Sequence, residues 1–392
     1  MSLLDPLEVG AFEAANRVFM AACTRCRADP DQVPTAAMAT YYAQRAGAGA
    51  IISEGINPSP LGRGELNQPA LYAEEHERGW RSVLDAVHEA GGRMVAQLMH
   101  AGRITFRELL PGNAAPVAPS AIRPSPDCRG YAVRCPRHDR GYPMPTALRT
   151  DEVRREIDFF VLSAERAIRA GFDAVQIHAA GGYLPMQFLS SSTNVREDAY
   201  GGSREKRARF LLECVELAAD RIGADRIAIK VSPSFGFNDI RDEDPEGLYA
   251  CLAERLDEFG LAFVEVADYR GRHPAGSFDA TALIRRHFSG VLVANGGHDP
   301  GTAAETVVSG AADAVSFGGS FIANPDLPER IAQGIELARP DRSTYYRSPD
   351  GDLGTGYTDY PAHPSDIATI RLVNADGQRY SRATDESRSV GR

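Results

Sequence analysis

No stretch of this 392-residue chain is long and apolar enough to cross a bilayer, and its start lacks the charged, apolar and small-residue order of an export signal. Both absences predict a soluble protein of a reducing compartment, the cytoplasm. Positive charge is also short: 43 basic against 53 acidic residues leave a formal net charge of −10. That balance argues against nucleic acid or an anionic membrane as the main partner and favours a small neutral or modestly charged ligand, bound by a monomer or homodimer. Cysteine is scarce, with six residues, Cys23, Cys26, Cys128, Cys135, Cys214 and Cys251. Cys23 and Cys26 form a CxxC, but no second pair stands at zinc spacing, and Cys128, Cys135 and His138 match no common metal pattern. No metal site is expected.

What the chain does contain is repetition. Short apolar runs at 17–22, 50–53, 93–98, 174–177, 226–231, 262–266, 291–294 and 314–317 read as strands, separated by helical spacing at 36–46, 74–90, 151–170, 203–222, 245–259 and 279–288. Eight such runs predict an α/β fold, a single (β/α)8 TIM barrel spanning 1–361, with an open doubly wound sheet as the rival. The last two runs end in glycine pairs, Gly296–Gly297 and Gly318–Gly319. Bare amides there suit a phosphate, which favours the barrel. Residues 104–150, rich in proline, arginine and glycine, form a long insertion after the third strand, expected to be a lid or site wall. The chain beyond 338 cannot continue the repeat and is expected to pack over the barrel, with 362–392 a tail.

The fourth run leads into His178 and Tyr183, a donor and an acid just past a strand's C-terminal end, where such barrels place their chemistry. Standing alone, such a pair is more often packing or capping. It is followed by Ser190, Asn194, Arg196, Asp198, Tyr200, Gly201, Gly202, Ser203, Arg207, Arg209 and Phe210, which reads as a charge-laced loop over a site mouth feeding a helix.

Taken with the segments 15–27 (ANRVFMAACTRCR), 38–46 (MATYYAQRA), 97–103 (QLMHAGR), 178–183 (HAAGGY) and 322–327 (IANPDL), this block resembles the Old Yellow Enzyme family of FMN-dependent ene reductases, from about 3 to 361. The resemblance implies that NADPH or NADH passes hydride to FMN and that the reduced flavin then reduces an activated alkene such as an enone. It implies flavin contacts from Ala22, Thr24, Gly55, Gln97, His178 and Lys230, and a phosphate held by Gly296, Gly297, Gly318 and Gly319. His178 would hold the substrate carbonyl and Tyr183 would protonate the α-carbon, with Gly181 and Met99 lining the substrate space. This chain departs from the family at four of these positions. Gly181 replaces a second carbonyl donor, Lys230 an arginine, Gly319 a phosphate-clamping arginine, and Met99 an aromatic residue. Two other readings stay open on those grounds: a flavin-dependent desaturase or isomerase, and a barrel that has lost FMN and serves as a non-redox enzyme or binding protein.

Overall fold

The computed structural model describes residues 1–126, 128, 141–234, 236–268, 278–348 and 350–362. The chain opens with an antiparallel hairpin, β1 (Leu7–Val9) and β2 (Phe12–Ala14), and enters the barrel through β3 (Val18–Met20), β4 (Ile51–Ile52) and β5 (Met94–Leu98). The insertion carries a two-stranded parallel sheet, β6 (Val117–Ala118) and β7 (Thr146–Ala147). The barrel resumes with β8 (Ala174–Ala179), β9 (Ile227–Val231), β10 (Phe263–Ala267), β11 (Leu292–Asn295) and β12 (Ala314–Phe317). All eight barrel strands are parallel, and β12 pairs back onto β3 through Val315 and Val18, which closes the ring and rules out the open sheet.

The helices are α1 (Ala36–Ala43), α2 (Glu74–Glu89), α3 (Thr150–Ala170), α4 (Leu184–Leu189), α5 (Arg204–Ile222), α6 (Pro245–Asp257), α7 (Ala280–His287), α8 (Pro300–Val308), α9 (Gly319–Ala323) and α10 (Leu327–Gln333). Their starts follow local chemistry. Ser203, Asp244, Asp279 and Asp299 each cap a helix by accepting a backbone N–H, Asp299 from Thr302 at 2.9 Å. α3 stops at Gly171, whose φ of 115° a side chain would resist.

Alternate residues of every barrel strand face inward. At the lower end this gives an apolar ring of Phe19, Ile52, Val95, Ala174, Ala228, Phe263, Val293 and Ala314, sealed from below by Val9, Phe12 and Ala14 of the hairpin. The intervening residues, such as Val175, Ile177, Val264 and Val266, pack outward against the helices. The sequence did not reveal this plug, because three-residue strands carry too little periodicity to read.

Two expectations shift. The insertion has order of its own: besides β6 and β7, Ile104, Phe106 and Tyr142 form a small core against Tyr183. The block at 190–210 is a clasp rather than a loop over the mouth. Asn194 donates to the carbonyls of Phe188 and Tyr200, Arg196 pairs with Asp198 and donates to the carbonyls of Pro119 and Leu148, and Tyr200 donates to Glu213 at 2.7 Å. Its charges answer backbone carbonyls of the insertion, so a run that reads as a charge-laced loop over the mouth is spent on hydrogen bonds within the fold. Cys135, His138 and the tail from 363 onward lie outside the described residues.

Candidate active site

Two residues beyond the apolar ring, the same strands turn polar. Gln97 of β5, Gln176 of β8, Lys230 of β9, Glu265 of β10, Asn295 of β11 and Ser316 of β12 are all buried inside the barrel. Buried polar groups need partners, and these supply one another. Lys230 Nζ lies 3.0 Å from Glu265 Oε1, Gln176 donates to Glu265 Oε2 at 2.9 Å, and Gln97 donates to Gln176 at 2.7 Å. Ser316 donates to Glu265 at 2.7 Å and in turn accepts from Asn295.

One further step along β8 stands His178, opposite Lys230 in register. Burial first, and the Lys230 charge second, push its imidazole down to about 3, so it is neutral at physiological pH and donates a single N–H. Its Nδ1 is buried and has no hydrogen-bond partner among the described residues. Tyr183 begins α4, and its ring centroid lies 5.2 Å from that of His178 at an angle of 46°. Between them sits Gly181, at φ 61°. A Cβ there would lie 3.5 Å from the Tyr183 ring and 3.8 Å from His178 Nε2, so the missing side chain would have projected between the two. The glycine backbone is held by Ser232, which accepts its N–H at 3.0 Å, and by Asn238, which donates to its carbonyl at 2.7 Å.

Around this pair the remaining candidates fall into two groups. Met99 is buried with its thioether packed on Gly55, so close that a Cβ at 55 would lie 2.7 Å from the sulfur. At the end of β3, Ala22 and Thr24 are half-buried, and Thr24 is followed by a cage that the sequence did not reveal. Arg25, Arg27 and Arg45 are fully buried, Arg45 over the Tyr41 ring at 3.7 Å and Tyr41 stacked on Tyr357 at 4.0 Å. Arg25 and Arg27 donate to the carbonyls of Tyr345, Gly356 and Thr344, pinning the segment that follows α10 beside the barrel mouth. Glu54 completes the turn by accepting the N–H groups of Arg25 and Cys26, each at 3.1 Å.

The glycine pairs make the second group. Gly296 has φ 131°, and a Cβ there would lie 1.9 Å from the Asp268 carbonyl, so no side chain fits without moving backbone. A Cβ at Gly318 would meet Cys23 Sγ at 3.2 Å, and one at Gly319 would stand 3.7 Å from the Tyr345 hydroxyl. Burial pushes the Cys23 thiol above its usual range, the opposite of an activated thiolate. Arg270 and Arg272 lie outside the described residues.

Comparison with known proteins decides the family. The profile of the NADH:flavin oxidoreductase / NADH oxidase family matches residues 2–338. The chain belongs to that family. A probable flavin mononucleotide-dependent alkene reductase of Leishmania infantum is 39% identical over 360 residues, 92% of this chain and 97% of the relative. 12-Oxophytodienoate reductase 1 of Oryza sativa subsp. japonica is 37% identical over 366 residues, 92% of each chain. Among solved structures, morphinone reductase in complex with tetrahydroNAD superposes with a TM-score of 0.86 at 40% identity, covering 95% of this chain and 100% of that one. The old yellow enzyme homologue of Zymomonas mobilis gives 0.85 at 39% identity, covering 92% and 99%.

The residues present fit the family's flavin. His178 Nδ1 is a buried polar atom with no partner among the described residues, Gln97 and Lys230 bring an amide and an ammonium to one end of the barrel interior, and bare backbone lies at the paired glycines. Four residues bearing on this arrangement escaped the sequence: Gln176, Glu265, Ser316 and Tyr345. A signal existed for the first three, since each stands two positions after a small or aromatic residue of the lower ring, Ala174, Phe263 and Ala314.

Proposed function

We infer that this chain is an FMN-dependent NAD(P)H oxidoreductase that reduces an activated C=C bond of a small, enone-like molecule. The observation that carries it is the neutral, buried His178 beside Tyr183, at the polar end of a barrel whose family is that of flavin oxidoreductases. When bound, FMN supplies the hydride carrier that accepts from reduced nicotinamide and delivers to the alkene.

The chain's own groups do the rest. Gln97 and Lys230 would hold the pyrimidine edge of the isoalloxazine, with Thr24, Ala22 and Gly55 along it, and the backbone of Gly296, Gly297, Gly318 and Gly319 would take the phosphate. The neutral His178 donates its one ring N–H to a carbonyl oxygen and stabilises charge gathering there as the β-carbon is reduced. The Tyr183 phenol supplies the proton to the α-carbon. Gly181 leaves His178 as the one side-chain donor of the pair, which suits substrates that are already electron-poor or bulky near the carbonyl, and Met99 gives the pocket a soft wall. Ile104, Phe106 and Tyr142 of the insertion pack against Tyr183 and would form the pocket wall on that side.

The test is spectroscopic. The purified protein is expected to carry or take up FMN, to bleach on anaerobic mixing with NADPH or NADH, and to recover its oxidised spectrum on addition of cyclohexenone or another activated alkene. Bleaching with no alkene-driven recovery across a panel of such alkenes would contradict ene reduction, and recovery in the reverse sense, with a saturated ketone reducing the flavin, would assign a desaturase.

A further inference from the structure

Glu265 accepts from three donors at once, Lys230, Gln176 and Ser316, in a barrel interior where it has no exposed surface. A carboxylate only accepts, so the amide of Gln176 must turn its NH2 toward Glu265 and its oxygen toward Gln97. Gln97 must then donate to that oxygen, which it does at 2.7 Å, and its own carbonyl oxygen is left facing away from the chain of amides. One carboxylate thereby sets the polarity of two amides on two neighbouring strands.

It also places a cation. Lys206 and Lys230 are the only lysines in a chain with 43 basic residues, so Lys230 is a rare choice of cation here, and it is buried. A compact ammonium is a point-like cation with three tetrahedral donors, and the bond to Glu265 fixes where its charge sits, whereas a planar guanidinium would impose its own fork geometry on the carboxylate. The pair is adjacent in register across β9 and β10.

We propose that Glu265 is the positioning residue of the flavin's pyrimidine site. It orients Gln97 through Gln176 so that a carbonyl oxygen is offered to an imide N–H, and it holds the Lys230 ammonium while offsetting part of its charge. The proposal rests on the flavin reading above. Glu265 touches no substrate and acts only through the groups it holds.

The experiment compares wild type with Glu265→Gln, Lys230→Met and the double variant, reading the FMN dissociation constant by fluorescence and the midpoint potential of bound FMN. Reduction adds negative charge to the flavin, so removing the carboxylate should move the potential positive and removing the ammonium should move it negative, with the double variant returning toward wild type. Each single variant should also weaken FMN by about tenfold or more, the scale of a lost charged hydrogen bond. A role in folding alone would lower thermal stability without producing shifts of opposite sign. Wild-type affinity and potential in Glu265→Gln, or shifts of the same sign in the two single variants, would overturn the proposal while leaving the flavin reading intact. Failure of the wild type to bind FMN would overturn both. If Glu265→Gln does not fold, Lys230→Met against the double variant decides: a more positive potential in the double supports the proposal and equal potentials overturn it.

Discussion

The lower and upper halves of this barrel interior sit two residues apart on the same strands and obey opposite rules. Below, Phe19, Val95, Phe263 and Val293 fill the space with apolar volume; above, Gln97, Lys230, Glu265 and Asn295 fill it with polar groups that satisfy one another. The lower half is stable by excluding water, at about 1.5–3 kcal/mol per large side chain buried. The upper half is held by mutual hydrogen bonding, which gives little net stability but a defined orientation for every group. The contrast shows how one strand can secure the fold and shape a site without a loop between the two tasks.

That division can be broken from either side. The largest effect is expected above the polar ring, at Tyr183→Phe. Loss of a positioned proton donor should slow alkene-driven flavin reoxidation by about 10²–10⁴-fold while reduction by nicotinamide stays nearly intact, as stopped-flow measurement of the two half-reactions would record. Equal loss in both halves would remove Tyr183 from the proton step. Next comes the lower ring: Phe263→Ala should cost about 3–5 kcal/mol in chemical denaturation while the flavin potential stays put, because the cavity forms where no polar group can sense it.

A gain is expected at Gly181→Asn. Asparagine tolerates the left-handed backbone at φ 61°, and the space toward His178 Nε2 is open to ordinary contact, so a second donor should raise enone turnover by up to about 10²-fold. A slower enzyme with unchanged stability would show instead that this space belongs to the substrate. The last effect concerns acid. His178 titrates near 6.5 when unfolded and near 3 when folded, so in that window the unfolded chain binds more protons, and stability rises with pH by at most about 1.4 kcal/mol per unit. The contribution is complete above 6.5 and lost as pH falls toward 3; His178→Phe should flatten this acid limb in thermal melts, and an unchanged limb would place the titration elsewhere.

The barrel could be read in the chain because eight apolar runs and their glycine stops repeat the same local physics, and His178, Tyr183, Gln97 and Lys230 could be found because they lie at or just past the ends of those runs. Glu265 could not be found the same way. It lies inside an apolar run, FVEVA, where a lone carboxylate reads as the outward face of a half-exposed strand. Only the closed ring brings Lys230, Gln176 and Ser316 to it. The same holds for Arg25, Arg27 and Arg45, whose partners Tyr345, Thr344 and Ile322 are about 275 to 320 positions away, and for the 190–210 block, whose charges read as a loop over the site mouth until the insertion's carbonyls were seen beside them.

The most direct measurement is a crystal structure of the protein grown with FMN. The isoalloxazine should be found above the polar ring, its pyrimidine edge within hydrogen-bond distance of Gln97 and Lys230, with His178 and Tyr183 on the side open to substrate. A barrel mouth closed by its own side chains, or a flavin bound away from Gln97 and Lys230, would contradict it.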